Sequence, residues 1–152
     1  METIDTDFYT GDVALKRLRK LATFHDIMAE EFFQFCHYDS DIVHGRLVAN
    51  PSFEYSDTVE HFIRLCVKDG WIIPEFDWRG WSATPGAQAY FVHPSGLDEV
   101  EPLMLAKVLT VIFGREHAHR GYLIEAYETG LLVKLLRRAN TLTTTQPFPA
   151  MS

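Results

Sequence analysis

The chain has 152 residues, 47% of them hydrophobic and 23% charged. That is enough for one domain to bury a core without metal or disulfide staples. Fourteen Lys and Arg stand against twenty-one Asp and Glu, a formal net charge of −7, which excludes a non-specific grip on nucleic acid and disfavours an anionic membrane surface, since both need clustered cations.

Residues 1–10 are acidic, with Glu2, Asp5 and Asp7, and lack the basic segment and apolar run of a secretion signal. Ala14, Leu15, Leu18, Leu21, Ala22, Met28, Phe32 and Phe35 then recur at three- and four-residue steps. This stripe predicts one long helix or two stacked short ones, with Lys16, Arg17, Arg19 and Lys20 on the solvated face. From Cys36 to Tyr55 the periodicity fades, and Asp39, Asp41, Gly45, Asn50 and Pro51 mark a long connection carrying at most a helical turn. Asp57 lies three residues before Glu60 and just ahead of Val59, Phe62, Ile63 and Cys66, the pattern of a capping box that opens an amphipathic helix. Gly70 is placed to end it in a left-handed C-cap.

All three tryptophans, Trp71, Trp78 and Trp81, fall in the next stretch, among Pro74, Gly80, Pro85 and Gly86. Residues 71–96 therefore read as an irregular insertion, with a short extended piece over 89–93. Pro102 suits a helix first turn, and the apolar residues from Leu103 to Phe113 cover nearly every face, as in a helix at the centre of a domain. Gly114 and Gly121 read as breaks, followed by a stripe at Tyr122, Leu123, Ala126 and Tyr127 and a last helix from Leu131 to Arg138. The expected fold is mainly α: a single helical domain over residues 1–140, with little or no β-structure and a flexible tail over 141–152.

Catalytic signatures are scarce. The histidines, His25, His37, His44, His61, His93, His117 and His119, include no pair at i, i+4, and the alternation of His37, Asp39 and Asp41 reads as an ordinary polar loop, so no metal and no cofactor are expected. There is no Gly-x-Ser-x-Gly elbow and no glycine-rich phosphate cradle. Cys36 and Cys66 lie in apolar stretches and read as free thiols of a cytoplasmic protein.

Two constellations are the candidate binding residues. In the first, Asp77 is placed to cap the backbone between large aromatics, while Trp78 and Trp81 either pack onto helices or floor a binding site. In the second, Arg115 shares a helical face with His119 and Glu116 with Arg120, at spacings that suit ion pairs or an anion pocket.

The chain from about Asp57 to Ala139 resembles an uncharacterised family of small bacterial and phage-type proteins, the domain of unknown function 6508. The Phe62 helix, Gly70, Phe76-Asp77-Trp78, Trp81, Leu109-Thr110, Arg115-Glu116, Gly121, Leu123 and Gly130 carry the resemblance. The family pattern has Arg-Phe before the glycine, whereas this chain reads His119-Arg120-Gly121 there, which weakens any shared role for that stretch. The resemblance implies a freestanding cytoplasmic domain of bacteria, their phages or mobile elements, and brings no known activity.

The leading functional expectation is a small acidic protein that binds, and inhibits, a protein partner, a nucleic-acid-handling or defence enzyme being the expected class of target. Two alternatives stay open. One is a small-molecule or enzymatic site at Arg115 and Arg120 beside the tryptophans, which requires a concave pocket there. The other is a homodimer that completes the burial of the helix over 103–113.

Overall fold

A computed structural model of the chain describes residues 4–38, 42–43, 46–47 and 53–144. Among them the chain is mainly helical: α1 (Gly11–Met28), α2 (Asp57–Lys68), α3 (Trp78–Ser82), α4 (Pro85–Val92), α5 (Pro102–Ala118), α6 (Tyr122–Glu128) and α7 (Leu131–Thr144). Short 3-10 turns at Thr6–Tyr9 and Pro94–Glu99 precede α1 and α5.

The central position expected for α5 is observed. Leu105, Ala106, Val108, Leu109, Thr110, Val111 and Ile112 are all buried, and Pro102 occupies its first turn. α1 presents Ala14, Leu18, Leu21, Phe24 and Met28 to the core and packs most extensively against α7, whose stripe is Leu131, Leu132, Leu135, Leu136 and Ala139. One polar side chain is used inside this core. Thr110 Oγ1 accepts from the Ile73 backbone N–H at 2.9 Å and donates to the Ala106 carbonyl at 2.7 Å, so neither group is left orphaned in the apolar interior.

α2 starts one residue earlier in its capping than the sequence pattern indicates. Ser56, not Asp57, is the N-cap, its hydroxyl accepting from Val59 N at 3.4 Å, while Asp57 and Glu60 lie in the first turn, where negative charge meets the helix dipole favourably. At the other end Gly70 has φ +79°, and Trp71 N–H donates back to the Cys66 carbonyl at 3.0 Å, the Schellman closure. Tyr9 Oη donates to the Gly70 carbonyl at 2.6 Å, fixing the 3-10 turn before α1 to the end of α2.

Five expectations change. The first helix stops at Met28, and Phe32 lies 90% exposed instead of continuing its stripe. Phe33 and Phe35 follow at a two-residue step, and Phe35 stacks on Tyr127 at 4.5 Å, so extended backbone takes over from the helical period. The connection after it carries β-structure: β1 (Cys36–Tyr38) pairs antiparallel with β4 (Phe53–Tyr55), and between them β2 (Ile42–Val43) pairs with β3 (Arg46–Leu47).

The tryptophan-rich segment is not an irregular insertion. It contains α3, capped by Asp77, and α4, capped by Thr84 with Pro85 in its first turn; the piece expected to be extended over 89–93 is mostly helix. Trp71 and Ile73 belong to the main core. Helices this short hold too few turns for an apolar period to show in sequence. Finally, Gly114 does not break α5, and α7 runs on to Thr144; residues 145–152 of the expected tail lie outside the described ones.

Candidate functional site

The candidate residues converge on the C-terminal half of α5. Helix α3 packs on α5, and Trp78 is the reason Gly114 has no side chain. A Cβ at position 114 would meet the indole's Cε2 at 2.3 Å and its Nε1 at 2.7 Å, far inside van der Waals contact. Asp77 Oδ1 accepts from Gly80 N at 3.0 Å and so sets where α3 begins. Trp81 is half-buried and lies 5.9 Å from Phe76, with Lys107 Nζ above both rings at 5.8 and 5.9 Å. Both tryptophans thus pack against α5, and Arg79 lies over the outer face of Trp78 at 4.9 Å.

One turn further along, the second constellation is rearranged relative to its sequence spacing. Glu116 forms no ion pair with Arg120 among the described residues. Its Oε2 accepts from Tyr55 Oη at 2.8 Å, and its Oε1 accepts from Gly121 N at 3.0 Å and Leu123 N at 2.9 Å. Gly121, at φ +109°, is the N-cap of α6 and has no side chain with which to cap it; the carboxylate from α5 satisfies the first turn's donors instead. Burial first, and then the bond to Glu116, hold the Tyr55 phenol well above its ordinary pKa of 10.0.

The arginines lie over rings. The Arg115 guanidinium sits 4.6 Å from the Phe91 ring centroid and 5.3 Å from that of Tyr122, and Nη1 donates to Tyr122 Oη at 2.8 Å. Arg120 lies 4.2 Å from Phe53 and 5.6 Å from Tyr55. Stacking of this kind holds a flexible guanidinium in one orientation while its in-plane N–H edge stays available. Exposed Tyr38, 6.0 Å from Phe53, extends the apolar part of the face. His119, the C-cap residue of α5, is exposed and joins neither stack.

Sequence reasoning named both arginines, Glu116 and the tryptophans, but missed Phe53, Tyr55, Phe91 and Tyr122, which give the arginines their positions. Tyr122 had a local signal, being one residue past the Gly121 break; Phe53, Tyr55 and Phe91 arrive from β4 and α4, elements the sequence did not reveal.

Two hollows are found elsewhere. One of about 860 Å³ lies between the N-terminal ends of α1 and α5 and the end of α7, lined by Tyr9, Leu15, Arg19, Pro102 and Leu142 among others. One of about 360 Å³ is lined by Tyr90, Val100, Leu103, Met104 and Lys107, with Glu99 and Glu101. Neither includes Arg115, Arg120, Trp78 or Trp81 in its lining. Cys36 and Cys66 are both free, and burial pushes the Cys66 thiol well up. Among the described residues no group of three or more His, Cys, Asp or Glu could hold a metal ion; Asp39, Asp41 and His44 lie outside them. No described helix is long and apolar enough to cross a membrane.

The sequence model of a family of unknown function, DUF6508, matches residues 13–145, a longer span at both ends than the motifs that carry the resemblance. The chain belongs to that family. No curated protein and no solved structure matches it.

Proposed function

We propose that this member of the DUF6508 family is a protein-binding module that docks through the arginine–aromatic face at the C-terminal end of α5. The observation that carries the reading is the pair of stacks, Arg115 on Phe91 and Tyr122 and Arg120 on Phe53 and Tyr55. Aromatic side chains dominate interface hot spots because they offer large contact area with few rotamers to freeze, and arginine because its planar guanidinium makes several directed hydrogen bonds once its flexible stem is held. Here the rotamers are restricted before any partner arrives.

The alternative reading, a site for a small anion, needs a cavity against the guanidinium groups, and neither of the two hollows described above has them in its lining.

The test is affinity capture from native-host lysate with wild-type chain and with the Arg115→Gln, Arg120→Gln double variant, both checked by circular dichroism. A stoichiometric partner held by the wild type and lost by the folded variant is the expected outcome. Equal capture by both, or capture of no protein by healthy wild type, refutes docking at this face.

A further inference from the structure

Buried polar atoms are almost always hydrogen-bonded, and each exception needs a physical reason. Four buried side-chain atoms lack a partner among the described residues, and three of them belong to residues that meet at Gly70: Arg17 Nη1, Asp69 Oδ2 and Trp71 Nε1. Asp69 and Trp71 flank that glycine in the chain and are 8% and 0% exposed. Arg17 reaches it from α1, its Nη1 lying 3.3 Å from where a Cβ at position 70 would be. The fourth atom, His25 Nε2, belongs to the last turn of α1.

The two charges at this place do not meet. Among the described residues the ion pairs formed are His25–Asp26 and Lys134–Asp98, so the buried ends of Arg17 and Asp69 come to one glycine without pairing. Both are held where they are. The Arg17 guanidinium is laid over the Phe8 ring at 3.9 Å, and Asp69 is the C-cap of α2, its N–H donating to the Leu65 carbonyl at 2.9 Å. Tyr9 borders the cluster, its hydroxyl spent on the Gly70 carbonyl at 2.6 Å and its ring 6.1 Å from that of Trp71. Burial raises the Tyr9 phenol above its ordinary pKa of 10.0, and the charge of Arg17 works against that rise.

We infer that a bound water bridges Arg17 Nη1 and Asp69 Oδ2, with the Trp71 indole N–H as its third partner. The chemistry of the three atoms selects this occupant. An anion would be repelled by Asp69 and a cation by Arg17. That leaves an uncharged molecule able to accept from two N–H groups and donate to a carboxylate. Water does this, and an internal water typically holds about three such bonds. The bridge joins α1 to the end of α2 beside the Tyr9–Gly70 bond. Because Tyr9 also lines the larger hollow, the same water steadies one wall of it.

The experiment has two arms. The first is a crystal structure of the full chain at a resolution that shows ordered water. The expected result is a water peak at about 2.7–3.2 Å from both Arg17 Nη1 and Asp69 Oδ2. A direct Arg17–Asp69 ion pair, an ion in that place, a peak that touches only one of the two, or no peak overturns the inference. The second arm is oxygen-17 relaxation dispersion in solution, which counts waters held for longer than the chain takes to tumble. Wild type is compared with the Arg17→Met, Asp69→Leu double variant, which removes both charges together and so leaves neither buried alone. With the variant's fold checked by circular dichroism, the count should fall by one, and an equal count overturns the inference. Should that variant fail to fold, the crystal structure decides alone.

Discussion

The two halves of α5 do opposite things with the same helical backbone. From Leu105 to Ile112 every residue but Lys107 is buried, and the one buried hydroxyl, Thr110, is satisfied on both sides. From Gly114 onward the helix carries a glycine that a tryptophan lies against, a carboxylate that caps another helix, and Arg115 laid over rings from α4 and α6, with Arg120 just past its end laid over rings from β4. The first half is defined by what it excludes and the second by what it holds in place. Burial of apolar surface supplies stability without direction, whereas the second half depends on a few directed contacts that stabilise little and orient much.

Substitutions separate the halves. The largest effect belongs to Leu109→Ala, a fully buried position: the lost contacts and the cavity should cost about 2–5 kcal/mol, read as a fall in the urea midpoint with an unchanged slope. A loss below about 1 kcal/mol would place the core elsewhere. Next, Glu116→Ala leaves Tyr55 Oη and the Gly121 and Leu123 N–H groups without their acceptor and should cost about 1–3 kcal/mol. Glu116→Gln, which keeps an oxygen for the backbone donors, should recover part of that. Equal losses for the two would mean that charge, not capping, is what the position supplies.

A smaller effect is expected from pH. Because the folded chain holds the Tyr55 proton above the ordinary value of 10.0, the unfolded chain loses it first as pH rises through about 10. This part of the stability is fully present below that pH and declines above it. Denaturant titrations from pH 8 to 11 should show a shallower decline for Tyr55→Phe; identical slopes would break the assignment. The smallest effect is that of Arg120→Gln. Its guanidinium is exposed, and its removal should change stability by no more than about 0.5 kcal/mol, although the same variant contributes to the loss of partner binding. A large destabilisation would return Arg120 to a purely structural role.

The pattern of legibility follows the same division. Helix α5, the α1 stripe up to Met28 and the glycine end of α2 are visible in sequence because local period and capping chemistry report them directly. The end of α1 is not, since Phe32 and Phe35 continue the three- and four-residue spacing by coincidence while the chain has already gone over to an extended two-residue alternation. Strands β1 and β4 are three residues each and stabilise one another across a connection, so neither has a signal of its own. At the site, Arg115, Glu116 and Arg120 stand out by type, but their partners do not. The i, i+4 rule pairs Glu116 with Arg120, and tertiary contacts from Tyr55 and the uncapped start of α6 outcompete that exposed ion pair, worth only a few tenths of a kcal/mol in such helices.

The seating of Trp78 on Gly114 has a consequence for inheritance. A side chain at position 114 and an indole at position 78 cannot occupy the same space, so neither position is free to drift alone. A lineage that gains alanine or a larger residue at 114 has first to reduce the aromatic at 78, and one that reduces position 78 opens 114 to substitution. Across related chains the two positions should change as a pair, thirty-six residues apart in sequence though adjacent in space, and the order of their changes along a tree should run from 78 to 114.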